Sequence, residues 1–170
     1  MIRPEHVLDS WKSVRQDTIA AVEDFPAHEF DFRPAPELMT FRETANHILY
    51  AGHGLAGMLL AGHDNFAAAD FRERIKEQNA GLSAHSGQAE LSAALRESVE
   101  QRAAQLAAQS PEFFAQIITR MDGQRVTRLE MLQMIKEHEL THRAHLFICL
   151  RMKGLTPATT RRRAAQQAKG

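Results

Sequence analysis

The hydrophobic pattern at the start of the chain repeats with the period of an α-helix. Six residues follow one another at spacings of three and four and therefore share one helical face: Val7, Trp11, Val14, Thr18, Ala21 and Phe25. Pro4 suits a first helical turn, so the pattern predicts a helix from about Pro4 to Asp24. The next segment, FPAHEFDFRPAPELM, contains three prolines. It predicts an extended connection anchored by aromatic residues rather than a helix.

A second helix is predicted to begin at Thr40. Thr40 and Glu43 form the T-x-x-E pattern of a capping box. The apolar stripe of this helix consists of Phe41, Ala45, Ile48, Leu55 and Leu59. Gly62 is suited to the position just after the helix, where a left-handed backbone is common.

Two further helices are predicted in the second half of the chain. An alanine-rich helix runs from about Ala89 to Gln109, with Leu91, Leu95, Val99 and Leu106 as core positions, and is ended by Pro111. The last helix begins at a second capping box, Thr127 and Glu130, and ends near Lys153. Gly154 and Pro157 then prevent its continuation.

The segments between these helices carry weaker signals. Within residues 63–87, FRERIKEQ is compatible with a short helix and NAGLSAHSGQ with a loop. Asp122-Gly123 lies between short β-favouring runs and predicts a small hairpin. Four helices with little strand signal predict an all-α four-helix bundle. We expect one domain over residues 4–158 and a basic, disordered tail over residues 159–170.

Composition and charge narrow the class of protein. The 170 residues suffice for one domain with its own core. No apolar run is long enough for a membrane span, the N-terminus lacks a signal-peptide pattern, and Cys149 is the single cysteine. These features favour the cytoplasm. The net charge is zero, and the basic tail leaves the rest near −4, so we expect no nucleic-acid partner.

Histidine occupies an unexpected part of the last helix. Seven residues form its core-facing seam at alternating spacings of four and three: Met131, Ile135, His138, His142, His145, Cys149 and Met152. Burying an imidazole without a partner costs about 1–3 kcal/mol. A divalent cation would compensate, because side chains at i and i+4, such as His138 and His142, can converge on one ion. The alternatives are histidines satisfied by carboxylates, or a partly solvated face.

His138-Glu139-Leu140-Thr141-His142 also matches the H-E-x-x-H signature of zinc proteases. One protease class takes its third ligand from a downstream glutamate, but no Asp or Glu follows Glu139. The other requires G and H where this chain has His145 and Ile148. A third ligand therefore lies upstream or is His145 itself.

The best upstream candidate is His47, on the second helix, where Ala51 and Gly54 leave room for another helix or a substrate. His53 lies about 240° round that helix from His47. The two histidines therefore cannot both face one ion.

The chain resembles the DinB/YfiT-like family of four-helix-bundle proteins, which are regarded as metal-dependent enzymes. FPAHEFDFRPAPELM is similar to the family's connection into its second helix, and TFRETANHIL to the start of that helix. HELTHRAHLFICLRMKGLTP is similar to its H-x-x-x-H helix with the following stop. The resemblance implies a metal site of His47, His138 and His142. It departs at His145, where the family more often has glutamine, so His145 is a candidate fourth ligand, outer-sphere group or substrate contact.

The resemblance also implies a chemistry. Relatives include S-transferases that use low-molecular-weight thiols such as bacillithiol, and a mycothiol-dependent maleylpyruvate isomerase. We therefore expect a zinc- or nickel-dependent thiol S-transferase or hydrolase acting on a small electrophile, with a thiol cosubstrate. The alternatives are a non-catalytic, DNA-damage-inducible type of stress-response protein acting through a partner, and a purely structural metal. A homodimer is expected because relatives pair through helices.

Several other residues have both a functional and a structural interpretation. Glu139 is a candidate base, but it points about 100° from His138 and is expected to be exposed. Arg143 is a candidate contact for an acidic substrate, although an ion pair with Glu139 four residues earlier is the simpler expectation. Cys149 is a candidate nucleophile, and Trp11 and Tyr50 are candidates to line a substrate pocket, but all three are expected to pack in the core.

Overall fold

The computed structural model describes residues 3–168 and contains four long helices that form a bundle. They are α1 (Pro4–Asp24), α2 (Phe41–Leu60), α4 (Gln88–Ala107) and α6 (Arg128–Met152). Helices α1 and α2 each pack against both α4 and α6, so they face one another diagonally across the bundle. The predicted all-α four-helix bundle is confirmed, and the predicted helix boundaries hold to within about two residues.

The two predicted capping boxes fix where α2 and α6 begin. Thr40 Oγ1 accepts a hydrogen bond from the Glu43 backbone N–H (3.1 Å), and the Glu43 carboxylate accepts one from the Thr40 N–H (2.7 Å). Thr127 and Glu130 repeat this arrangement at α6. Each box satisfies backbone donors that the first turn leaves unpaired, which sets the starting register of both helices.

Two hydrophobic clusters fill the bundle, one towards each end. The first cluster includes Trp11 of α1 and Ile135 of α6. The second includes Ile19 of α1 and Leu146 of α6. Between these positions lies a layer of buried polar residues: Arg15 (0% exposed), Thr18 (0%) and Glu139 (2%). We call these three residues the polar layer. His138 and His142 occupy the same stretch of α6.

Shorter elements complete the fold. They are α3 (Phe71–Gln78), α5 (Pro111–Ala115), the antiparallel pair β1 (Ile117–Thr119) and β2 (Arg125–Thr127), and α7 (Ala158–Gln167). The hairpin predicted at Asp122-Gly123 is present, with Gly123 at φ +82°. The connection after α1 contains no α-helix, only a 3-10 turn at Ala27–Glu29. Phe25 stacks on Phe41 at 3.9 Å between ring centroids, so the expected aromatic anchoring is present.

Residues 159–167 of the expected disordered tail are instead helical and belong to α7 (Ala158–Gln167). Arg161 donates to Asp24 (2.8 Å) and Arg162 donates to Asp17. Both acceptors lie on α1, so ion pairs hold the helix against the bundle. Residues 169–170 of the predicted tail lie outside the described residues. Within residues 3–168, no helix has the length and apolar character that a membrane span needs.

Candidate metal centre

Three histidines from two helices meet beside the polar layer. His47 is on α2, and His138 and His142 are one turn apart on α6. One ring nitrogen from each lies within 4.8 Å of the corresponding atoms of the other two. The Nε2 atoms of His47 and His138 are 3.2 Å apart. The structure thus brings together the three side chains that the sequence singled out.

This arrangement fits a bound cation. Imidazole nitrogens that share a tetrahedral zinc ion at about 2.0–2.1 Å lie about 3.3 Å from one another. The distance between the Nε2 atoms of His47 and His138 already has nearly that value. Small side-chain movements would bring His142 into the same shell, and the half-buried setting leaves room for a further ligand.

The surroundings of the three rings favour the neutral imidazole. Burial lowers the pKa of His47 and of His142. For His138, burial and then the neighbouring His142 and His47 lower the pKa to about 4. Neutral imidazole is the form that binds a metal ion, so the site is prepared for a cation near neutral pH without first losing protons.

His145 lies one turn beyond His142 but outside the group of three whose ligand atoms approach within 4.8 Å. It is half-buried, and its Nε2 has no hydrogen-bond partner among the described residues. Burial lowers its pKa. His145 therefore lies beside the three histidines without belonging to the group that could hold an ion. Further along the same seam, Cys149 is fully buried (0% exposed), as predicted. Met152, the last residue of the predicted core-facing seam, is instead exposed.

Glu139 is not the exposed residue that the sequence predicted. Its side chain is only 2% exposed and forms an ion pair with Arg15, with 2.7 Å between Arg15 Nε and Glu139 Oε1. The side of α6 that Glu139 occupies is covered by α1, which local sequence did not indicate. Both carboxylate oxygens accept hydrogen bonds, so neither is free to take a proton from a substrate.

The predicted ion pair between Arg143 and Glu139 is also absent. Arg143 instead donates to Asp17 on α1 (3.0 Å) and lies over the Phe147 ring. Because Glu139 is taken by Arg15, the side chain of Arg143 turns towards the next acidic group on α1. Arg143 is thereby engaged in holding α6 to α1.

His53 is turned away from the three histidines, as its position on the helical wheel requires. Its Nε2 accepts a hydrogen bond from Arg102 Nη2 (2.8 Å), and its Nδ1 lies 3.0 Å from Ser98 Oγ. Burial, followed by the charges of Arg102 and Arg15, lowers the pKa of His53 to about 4. The sequence did not predict this group of His53, Ser98 and Arg102, because its signal there is just a second histidine on an apolar helix.

The remaining candidates pack largely as expected. Trp11 and Cys149 are fully buried, and burial raises the pKa of the Cys149 thiol to about 11. Cys149 is therefore a core residue rather than a nucleophile. Tyr50, one turn after His47, is half-buried and lines a cavity of about 680 Å³ between α2, α3 and residues 79–82.

Acid should destabilise the metal-free protein partly through His53. Its pKa falls from 6.5 to about 4 on folding, so between these pH values the unfolded chain binds a proton that the folded chain does not. Stability present above pH 6.5 is therefore lost as the pH falls towards 4, by about 1–3 kcal/mol for this one group. Urea denaturation from pH 7 to pH 4 measures the loss. His53→Gln should show a shallower decline, and identical pH dependence in the two proteins would contradict this assignment.

Comparisons with known structures agree with the fold. The DinB-like protein YjoA from Bacillus subtilis is 24% identical with a TM-score of 0.68, over 89% of this chain and 93% of that one. YfiT from Bacillus subtilis, described as a probable metal-dependent hydrolase with an unusual four-helix bundle topology, is 16% identical with a TM-score of 0.68 over 92% of each chain. The mycothiol-dependent maleylpyruvate isomerase is 16% identical with a TM-score of 0.63, over 85% of this chain and 61% of that one.

Curated protein sequences contain no match to this chain. The model of the DinB family, in contrast, matches residues 1–169. That match includes both helices that carry the three histidines, together with α1, which contacts them through the polar layer. The chain therefore belongs to the DinB family.

Proposed function

We propose that this protein is a divalent-metal-dependent enzyme that transfers a low-molecular-weight thiol to a small electrophile or hydrolyses such a compound. The observation that carries the proposal is the convergence of His47, His138 and His142, with 3.2 Å between two of their Nε2 atoms. Zinc or nickel would suit this site, because both favour imidazole ligands. The metal would act as a Lewis acid that activates a thiol or a water molecule.

Residues of the chain would bind both the ion and the substrate. The three histidines would hold the ion from two helices and leave the side facing solvent open to a substrate. The cavity beside Tyr50 has the size of a small-molecule site. The three histidines do not line this cavity; its link to the site is Tyr50, which lies three residues after His47 on the same face of α2.

A small-molecule substrate is also supported by two structural neighbours. One is described as acting on maleylpyruvate with mycothiol and the other as a probable metal-dependent hydrolase. Both descriptions concern proteins 16% identical to this chain, so the reaction type remains our proposal. His145, whose Nε2 has no hydrogen-bond partner within residues 3–168, is the candidate outer group that would contact the substrate or a ligand of the ion.

The test is a panel of low-molecular-weight thiols and small electrophiles, assayed with metal-free and metal-loaded protein. We expect turnover that requires both the metal and the three histidines, and its loss in His142→Ala. His53→Gln serves as the control outside the site. Binding of metal without turnover across the panel would instead favour the non-catalytic stress-response protein that acts through a partner.

Removal of the metal should leave the protein folded. The two hydrophobic clusters and the polar layer do not include the three histidines, so the core does not depend on an ion. At a metal concentration about 100 times Kd, chelation should cost about 2.7 kcal/mol, or about 5–10 °C in Tm. Circular dichroism melts with and without chelator measure this. Loss of the native helix signal at 20 °C on chelation would indicate a structural metal.

A homodimer is a further part of the proposal. Ile148 and Met152 are each 55% exposed and lie one turn apart on α6. Pairing of two copies through this helix would cover both side chains. Light scattering of the native protein and of Ile148→Glu would test it: the proposal expects a dimer that the substitution dissociates, and a native monomer would contradict it.

A further inference from the structure

Glu139, which follows His138 on α6, accepts four side-chain hydrogen bonds. Glu139 Oε1 accepts from Arg15 Nε (2.7 Å) and Thr18 Oγ1 (2.8 Å). Its Oε2 accepts from Arg15 Nη2 (2.9 Å) and Trp11 Nε1 (2.9 Å). All three donors lie on α1. One carboxylate on α6 thus makes four hydrogen bonds to a single face of the neighbouring helix.

Arg15 extends this network to the other two long helices. Its Nη1 donates to the Leu95 carbonyl of α4 (2.8 Å). A Cβ built on Gly52 of α2 would lie only 2.9 Å from Arg15 Nη2, so the guanidinium reaches the backbone of α2 where a side chain is missing. The ion pair of Arg15 and Glu139 therefore contacts α1, α2, α4 and α6.

The hydrogen bonds of this network are directional, unlike the packing of the hydrophobic clusters around it. Apolar burial is non-directional, and helices packed by it alone can rotate or slide slightly at little cost. Bidentate hydrogen bonds between a guanidinium and a carboxylate hold a defined geometry. A rotation of α6 by about 15° would move side-chain atoms near its surface by about 1.5 Å, whereas metal–ligand distances vary by only about 0.2 Å.

We propose that Glu139, through its bonds to Arg15, Trp11 and Thr18, is a positioning residue that fixes the rotation and register of α6. That orientation allows His138 and His142 to meet His47. This inference rests on the proposed metal site. It replaces the expectation that Glu139 acts as a base, since its carboxylate is directed at α1 while the adjacent His138 faces α2. Glu139 acts on the site through the helix and touches no substrate.

The test measures Co²⁺ binding by absorption spectroscopy and competition, because both the affinity and the ligand-field bands report the geometry of the ligands. The principal variant, Arg15→Met with Glu139→Leu, removes both buried charges together and avoids leaving one unpaired. The matched control is Glu23→Leu with Arg96→Met, an exposed ion pair between α1 and α4. Urea denaturation establishes that each protein is folded before cobalt is added.

We expect the folded principal variant to bind Co²⁺ about 10–100-fold more weakly than the native protein and with altered bands, and the control to be unchanged. A folded principal variant with native affinity and spectrum overturns the inference. If this variant does not fold, Thr18→Val provides the test, because it removes one hydrogen bond to Glu139. We expect it to bind Co²⁺ at least about threefold more weakly. Native affinity and spectrum in Thr18→Val would overturn the inference. A folded native protein that binds no Co²⁺ overturns the proposed metal site itself.

Discussion

Replacement of His142 by alanine should weaken divalent-metal binding by about two to three orders of magnitude. Structural zinc sites with four ligands have apparent binding free energies of about 10–16 kcal/mol, so one ligand accounts for about 2.5–4 kcal/mol. Among the described residues, His142 is one of the two α6 histidines in the group of three candidate ligands. Removing it leaves His138 and His47, and two nitrogens bind the ion more weakly than three.

The experiment is a competition titration with a chromophoric chelator, using native protein, His142→Ala and His145→Ala. His145 is the matched control, because it lies on the same helix one turn away but outside the group of three. The Nε2 of His145 has no hydrogen-bond partner among the described residues, so we expect His145→Ala to change Kd by less than the roughly tenfold that loss of a hydrogen-bonded outer group costs. Equal losses in the two variants would show that His145 is a ligand, and no loss in His142→Ala would contradict the assignment of His142.

His142→Ala should also leave the fold intact. The imidazole is only half-buried and forms no hydrogen bond with the described residues, so its removal exposes no unpaired partner. A partly exposed side chain outside the hydrophobic clusters contributes little to stability. The loss of metal binding can therefore be attributed to the missing ligand, provided that the urea midpoint of the metal-free variant equals that of the native protein.

Replacement of Arg15 by leucine should destabilise the protein by about 3–5 kcal/mol. The substitution leaves the Glu139 carboxylate buried at 2% exposure without its cation, and an uncompensated buried charge is costly. It also removes the Arg15 side-chain donor from the Leu95 carbonyl. Because small domains are stable by about 5–15 kcal/mol in total, this single change removes a large share of the stability.

Two comparisons isolate the buried pair. Arg15→Leu with Glu139→Leu should recover at least half of the loss, because no charge remains unpaired. Arg96→Leu, which breaks the exposed pair with Glu23, should cost less than about 1 kcal/mol. Urea denaturation curves give all three values. A loss in Arg15→Leu as small as that in Arg96→Leu would contradict the role assigned to the buried ion pair.

Local signals in the sequence were sufficient for the main helices. The boxes at Thr40–Glu43 and Thr127–Glu130 are short-range hydrogen-bond patterns, and the structure uses both. Spacings of three and four residues likewise identified the buried face of α1. The histidine pair on α6 was predictable for the same reason, since an i, i+4 spacing fixes relative position. His47 needed the resemblance to a family in addition, because no local rule joins α2 to α6.

Contacts between distant parts of the chain were not predictable. Helix α7 is held by Asp17 and Asp24, more than 130 residues away along the chain, so its basic sequence alone suggested a solvated tail. The sequence predicted that Glu139 points about 100° away from His138. It did not show that α1 covers that side of α6. The available signal was Arg15, a charged residue on the apolar face of α1, which requires a buried partner.

X-ray absorption spectroscopy of the zinc-loaded protein tests the central claim most directly, since it counts the imidazoles around the ion. The claim is that His47 of α2 and the two histidines of α6 bind the same cation. We predict three imidazole nitrogens at about 2.0–2.1 Å in the native protein and two in His47→Ala. The same imidazole count in both proteins would contradict the claim that the two helices share one metal ion.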